Sequence, residues 1–184
     1  MIGYRIFTAS AVALLISGPA AGQDAPPRVA EPEYNFVVFA LDANTGALIP
    51  LERKQGNIQA KVRAMGFGGA KGSTVFAGES SPVRFKESQK LEFVIRVEST
   101  GNDPATLVSL EALTRSKGKR ELQTMQVGAF SGHVDTTNGK SAQGLSFAKY
   151  GEHSFRFTPS DVLPKGEYAV MTKGSTESFL FGID

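Results

Sequence analysis

Residues 91–98 read LEFVIRVE, and this stretch decides the fold class of the chain. Leu91, Phe93, Ile95 and Val97 occupy every second position, and charged residues fill most of the positions between them. A period of two predicts a half-buried β-strand, because successive side chains of a strand point to opposite faces of its sheet. We therefore expect a fold built from strands that each have an apolar face.

The same alternation recurs in residues 57–64, 153–158 and 179–183. Short turn sequences rich in glycine, asparagine or proline separate these runs at fairly regular intervals. Regularly spaced strands and turns predict an all-β protein, an antiparallel sandwich or barrel with little or no helix outside the N-terminal segment. Residues 106–115 fit a helix or a strand by spacing, and we favour a strand that pairs with residues 121–127.

Residues 163–168, LPKGEY, resemble the tyrosine corner of immunoglobulin-like β-sandwiches. The resemblance implies a structural role for Tyr168, with its hydroxyl bonded to nearby backbone at the start of the penultimate strand. Val170 stands where antibody domains have a cysteine, and the chain has no tryptophan, so only the broader immunoglobulin-like architecture is implied. Such a domain needs only about 100 residues, and additional strands or long loops are therefore expected.

The chain as a whole is similar to small, uncharacterised exported bacterial proteins. The similar stretches are PLER at 50–53, GFGG at 66–69, SPVRF at 81–85 and KGKREL at 117–122. This resemblance implies no particular activity.

Residues 1–22, MIGYRIFTASAVALLISGPAAG, have the organisation of a secretory signal peptide, with Arg5 before a short apolar stretch and small residues at the end. The apolar stretch is shorter than the roughly 20 residues that a membrane-spanning helix needs, so no span is expected in the mature chain. Residues 23–32 contain three prolines and should form an extended tether. Residues 33–184 then form a single β-sandwich domain, exported to the periplasm or the cell surface.

Composition excludes several classes of function. The absence of cysteine removes disulfide frameworks, thiolate zinc sites and cysteine nucleophiles, and two histidines leave little for a metal site. The formal net charge of +2 is close to neutral, unlike that of a nucleic-acid-binding protein. Residues 144–148, GLSFA, lack the final glycine of a serine nucleophile elbow. We therefore predict no catalytic residue, no metal, no cofactor and no nucleic-acid partner.

His153 is expected to have a structural role. It shares its alternate positions with Phe155 and Phe157, so the pattern predicts a hydrogen-bonded histidine at the edge of the core.

Two glycine-rich segments are candidates for binding. Residues 66–74, GFGGAKGST, do not match a phosphate-binding loop, because the glycines and the lysine have the wrong spacing. Residues 127–133, VGAFSGH, repeat the order of glycine, phenylalanine and a basic or titratable residue. We hypothesise one docking surface made by both segments; the alternative is that each phenylalanine plugs an end of the sandwich. The residues of this hypothesis are Phe67, Lys71, Phe130 and His133.

A second candidate is the predicted hairpin tip at residues 115–120, RSKGKR, with four positive charges. These charges would favour weak contact with an anionic surface or an acidic partner, whereas most basic turns are simply solvated loops. The residues are Arg115, Lys117, Lys119 and Arg120.

The sequence therefore favours an exported, non-enzymatic binding module of the bacterial cell envelope. Glycine-phenylalanine loops or sheet edges would contact a protein or another envelope component. Two alternatives stay open: a small hydrolase or carbohydrate-active domain on a sandwich scaffold, and a structural subunit that assembles by strand addition.

Overall fold

A computed structural model describes residues 29–62, 70–97, 103–127, 134–136 and 142–184. The residues 1–22 and 23–28, together with Phe67, Phe130 and His133, lie outside this described part. Within it the chain forms fifteen strands and one turn of 3-10 helix at Pro104–Thr106, with no α-helix. The strands are β1 Val38–Leu41, β2 Leu48–Pro50, β3 Glu52–Gln55, β4 Asn57–Val62, β5 Ala70–Ala77, β6 Arg84–Phe85, β7 Phe93–Arg96, β8 Val108–Ser116, β9 Lys119–Val127, β10 Val134–Thr136, β11 Ala142–Gln143, β12 Leu145–Tyr150, β13 Ser154–Pro159, β14 Gly166–Thr172 and β15 Glu177–Ile183.

The strands form two sheets. Sheet 1 has the order β12-β13-β7-β1-β2, and sheet 2 follows the path β3-β15-β14-β8-β9-β5-β4. β6, β10 and β11 attach to β15, β9 and β8, and only the pairing of β6 with β15 is parallel among these named strands. The predicted all-β antiparallel class is confirmed. The preference for a strand over a helix at residues 106–115 is confirmed by β8, but β8 meets the predicted partner segment 121–127 only at Glu121.

The main core lies between the two sheets. Phe93 and Phe157 of sheet 1 stack at 5.3 Å between ring centroids, and Phe93 lies 5.2 Å from Phe181 of sheet 2. The four alternating apolar residues of 91–97 are all buried, as their pattern predicts. Because each buried side chain of this size stabilises the fold by about 1.5–3 kcal/mol, this interface holds the two sheets together as a sandwich.

A second, smaller core covers the opposite face of sheet 2. Along β14, Tyr168 and Val170 belong to the main core, whereas Ala169 and Met171 pack with the smaller one. The central strands of sheet 2 are therefore buried on both faces. The smaller core consists of Phe76, Leu113, Leu122, Ala169 and Leu180, with Met171 at its edge.

Sheet 2 curls, because the two strands at the ends of its path are consecutive in the sequence. Only Gly56 separates the end of β3 from the start of β4. A Cβ at Gly56 would collide with the side chain of Thr74 and would lie 3.0 Å from the ring of Phe76. Glycine therefore lets the chain bend tightly over the smaller core, so that the ends of the sheet meet.

The tyrosine-corner contact implied by residues 163–168 is present. The hydroxyl of Tyr168 donates a hydrogen bond of 2.7 Å to the carbonyl oxygen of Pro164. The ring stacks on Phe181 at 5.5 Å, and burial raises the pKa of the phenol. This bond satisfies a buried hydroxyl at the point where the chain enters β14.

The N-terminal part of the described chain contacts the domain before residue 33. The carboxylate of Glu31 accepts hydrogen bonds from the backbone N–H groups of Glu152 (2.7 Å) and His153 (2.9 Å), and from the hydroxyl of Ser154 (2.6 Å). Pro32 is buried and its carbonyl accepts from Arg96 at 3.2 Å. The segment assigned to the tether therefore ends in a specific contact with the β12–β13 turn.

Two expectations about burial are wrong. His153 does not face the core; it lies in the turn before β13, its side chain is 45% exposed, and Ser154 takes the buried position instead. Residues 57–60 do form part of a strand, but Ile58 is 85% exposed because β4 is the last strand of its sheet path and nothing in the described part covers it.

Candidate functional site

Glu167 of β14 lies at the centre of a buried group of charges. Its carboxylate accepts hydrogen bonds from the Ser81 backbone N–H (2.8 Å), from Arg115 (2.7 Å) and from Arg84. Arg120 reaches the same carboxylate at 3.4 Å, and neither the Glu167 nor the Arg120 side chain has any exposed surface. We call the ionic cluster the set Glu52, Arg84, Arg115, Arg120, Glu167 and Asp184.

Arg120 is bound from several sides. Its guanidinium donates to the carboxylate of Glu52 at 2.9 and 3.2 Å, and to the backbone carbonyls of Gly78 (3.0 Å) and Ala77 (3.3 Å). A buried charge is tolerated only when it is paired and hydrogen-bonded, and Arg120 meets both conditions.

Arg84 crosses the end of β15. Its guanidinium donates to Asp184 and to the carbonyl of Ile183 as well as to Glu167. A Cβ at Gly182 would collide with this guanidinium, so only glycine leaves room for it on the strand. In the sequence FGID at residues 181–184, Gly182 therefore leaves space for the guanidinium of Arg84, and Ile183 and Asp184 accept its hydrogen bonds.

The charges of the ionic cluster balance one another. Burial raises the pKa of Glu52, but hydrogen bonds from Arg120 and Ser81 outweigh it and hold the pKa below its ordinary value. A hydrogen bond from Arg84 lowers the pKa of Asp184, and the same contact raises the pKa of Arg84. Three arginines face three carboxylates, so the geometry indicates a structural network rather than a site for a charged ligand.

The four residues of the predicted basic tip have different environments. Arg115 and Arg120 belong to the ionic cluster, and Lys119 pairs with Glu121. Lys117 is exposed, beside Gly118, whose N–H donates to Glu79 at 2.6 Å. The tip therefore presents far less free positive charge than its sequence indicates, because two of its arginines are directed to buried carboxylates.

A cleft of about 280 Å³ opens at the end of the sandwich where β7 begins and β13 ends. Buried Leu91, Leu163 and Ile183 line it, together with exposed Asp161 and Val162 of the β13–β14 loop. His153 precedes β13 and lies at the opposite end of that strand. His153 is therefore too far from the serines of the cleft to form a catalytic Ser-His pair with one of them.

The clearest accessible feature among the residues of described exposure is residues 57–60 of β4, which belongs to an arm of four strands. We define the arm as β4, β5, β10 and residues 122–127 of β9. β8 pairs with β9 only as far as Glu121, so the rest of β9 continues beyond it and pairs with β5 and β10. Among the described residues β4 and β10 each have one strand neighbour, which makes them the two free edges of the arm.

Residues 57–60 of β4 are exposed on both faces of the strand. Asn57, Ile58, Gln59 and Ala60 are all exposed, although they alternate in direction along the strand. Edge strands usually keep one face on a core, and an edge strand without a second neighbour leaves a row of backbone N–H and C=O groups that can pair with another strand. The arrangement can therefore supply both backbone hydrogen bonds and an apolar contact to another strand.

The strand ends that flank the two glycine-phenylalanine segments are paired in register across the arm. We call such a set of directly paired residues, one from each strand, a row. Val62 pairs with Ala70, Ala70 with Val127, and Val127 with Val134. Lys71 lies in the next row, in β5. Phe67, Phe130 and His133 lie outside the described residues, so their shared docking surface stays a prediction.

No three histidine, aspartate or glutamate side chains among the described residues are grouped so that they could hold a metal ion. No helix in that part of the chain is long and apolar enough to span a membrane.

Comparison of the chain with protein-family models, with curated proteins and with solved structures finds no match.

Proposed function

We propose that this protein is an exported, non-enzymatic interaction module of the bacterial cell envelope that binds by strand addition to β4. The observation that carries the proposal is the bare edge of β4, where four consecutive residues, 57–60, are exposed on both faces. In strand addition, main-chain hydrogen bonds supply affinity, and side chains at alternate positions supply specificity. An immunoglobulin-like architecture suits this role, because a rigid sandwich holds the edge in a fixed position.

Export to the periplasm or cell surface rests on the N-terminal sequence. The ionic cluster is compatible with this location, because it crosslinks distant segments without cysteine: Arg120 and Glu52 are 68 residues apart, and Arg84 and Glu167 are 83 apart. A domain of this size also buries enough apolar surface to be stable without disulfides.

Photo-crosslinking tests the β4 edge. A photoreactive phenylalanine analogue replaces Ile58 in the full chain, which is expressed in a bacterial host, and the matched control replaces Val162, which is 77% exposed but lies in the β13–β14 loop. We expect a discrete crosslinked product from position 58 and none from position 162. Equal products from both positions would mean that exposure alone explains the capture.

A pair of proline variants then separates edge pairing from general exposure. Neighbouring residues of a strand direct their N–H groups to opposite sides, so one of Gln59→Pro and Ala60→Pro removes a bond to β5 and the other removes a donor from the free edge. The variant that keeps the wild-type melting temperature should abolish the product at position 58. Persistence of the product in that variant contradicts binding by strand addition.

A further inference from the structure

The two edge strands of the arm, β4 and β10, run in the directions that antiparallel pairing between two copies requires. β4, β5, β9 and β10 are antiparallel in succession, so β4 and β10 run in opposite directions. When a second copy is placed beside the first by translation within the sheet, its β10 therefore lies antiparallel to β4. The junction repeats the strand alternation that the arm already has, and it uses two edges that lack a second neighbour among the described residues.

The rows of the arm also match across such a junction. The row Val62, Ala70, Val127 and Val134 ends in valine at both edges. Translation along this row places Val134 of one copy opposite Val62 of the other. β-Branched residues on facing positions are favourable cross-strand pairs.

The neighbouring row ends in opposite charges. Lys61 of β4 pairs with Lys71, Lys71 with Gln126, and Gln126 with Asp135 of β10. Within one chain, this register pairs Lys61 with Lys71, so the β4 edge has no acidic partner in its own row. The same translation that aligns the valines sets Asp135 of the second copy opposite Lys61.

We propose that the strand added to β4 is β10 of a second copy of this chain, so that copies assemble head to tail with Lys61 opposite Asp135. This inference rests on the proposed use of the β4 edge. Pairing of β4 with a second β4 would bring together two strands that each carry Lys61 and contain no acidic residue, whereas pairing with β10 supplies the opposite charge. A head-to-tail interface of this kind extends to longer assemblies unless its rotation closes a ring.

Charge reversal tests the proposed register. Sedimentation velocity of the purified mature chain over a range of concentrations should show self-association that weakens as salt rises. Lys61→Asp and Asp135→Lys should each weaken the association about tenfold, because an attractive cross-strand pair becomes repulsive. The double variant should recover most of the loss. Far-UV circular dichroism and the melting temperature confirm that each variant is folded.

Mixing the two single variants gives the sharper result. Lys61→Asp carries acidic residues at both edges, and Asp135→Lys carries basic residues at both, so each alone should show the weakened association, and an equal mixture of the two should associate more strongly than either. A β4–β4 interface would leave Asp135→Lys associating normally. Control reversals at exposed positions outside the arm, Lys117→Asp and Asp161→Lys, should leave association unchanged.

Two results overturn the proposal: a wild-type chain that is monomeric at all concentrations, or single variants that associate as wild type does. The proposed function is judged separately, because a crosslink from position 58 to a different envelope protein would retain strand addition and reject the second copy. A crosslink to the peptide that contains residues 134–136 supports both. If neither proline variant affects the crosslink, both proposals fail.

Discussion

Replacing Glu167 with glutamine probes whether the ionic cluster holds the curled sheet together. Glu167→Gln keeps the size of the side chain but removes the charge that Arg84, Arg115 and Arg120 share. Glutamine also places an N–H₂ donor where the carboxylate accepted hydrogen bonds, so at least one arginine faces another donor. The backbone N–H of Ser81 competes for the single remaining oxygen.

The magnitude follows from the partners that remain. Removing one member of a buried ion pair typically costs 3–5 kcal/mol. Arg84 keeps Asp184, Arg120 keeps Glu52, and Arg115 is half exposed and can return to water. We therefore expect Glu167→Gln to lower the free energy of unfolding by about 3 kcal/mol, at the lower end of that range. For a domain of this size, this lowers the melting temperature by about 6–12 °C.

A matched control lies on the adjacent strand. Glu177 of β15 also bonds an arginine, Arg53, at 2.7 Å, but both side chains are largely exposed. Glu177→Gln should cost no more than about 1 kcal/mol, because exposed ion pairs contribute little. Both variants are unfolded with guanidinium chloride and followed by far-UV circular dichroism, since the chain has no tryptophan. Losses for the two variants that agree within about 0.5 kcal/mol would refute the structural role of the cluster.

Three further predictions concern stability. The pKa values of Glu31 and Glu52 lie below their ordinary value of 4.5, so the stability that these carboxylates contribute is present above that pH and is lost as pH falls through the lowered values. The urea concentration at the midpoint of unfolding should therefore decrease on acidification. A midpoint that stays constant down to strongly acidic pH would contradict this. Tyr168→Phe removes the hydrogen bond to Pro164 and should cost about 1 kcal/mol by denaturant titration, whereas Tyr34→Phe, at a position 66% exposed, should cost nothing measurable. Glu31→Ala should release the N-terminal segment from the β12–β13 turn, so that protease cleaves it faster while the body stays folded; an unchanged cleavage rate would show that the contact is not limiting.

Local patterns were sufficient to predict several of the strands. The alternation of residues 91–97 places all four apolar side chains in the core, and the LPKGEY sequence places the Tyr168 hydroxyl on nearby backbone. Both signals depend on a few consecutive residues, and the geometry of a strand or a corner follows from them directly. The same reasoning failed for His153, because the turn before β13 moves the inward register to Ser154.

Distant contacts carry no comparable signal. Glu167 lies between Gly166 and Tyr168 in a largely apolar strand, and nothing in the adjacent sequence indicates that three arginines converge on it. Glu31 lies in a proline-rich stretch that reads as a tether, yet its carboxylate binds a turn more than 120 residues later. The only sequence signal for a site of this kind is a charged residue within or beside an apolar strand. Such residues are too common for this signal to single out the members of the ionic cluster.

The sequence by itself determined that this is an all-β chain, that Tyr168 closes a corner and that the composition lacks the residues for thiol chemistry. The tertiary structure alone decided that Arg120 is buried while Ile58 is bare. The periodicity of residues 57–64 is the same as that of 91–98, and what differs is the position of each strand: β7 lies between two neighbours under the opposite sheet, and β4 lies at the end of its path. A side chain's direction is set locally, but what covers it is set by strands brought together from elsewhere in the chain.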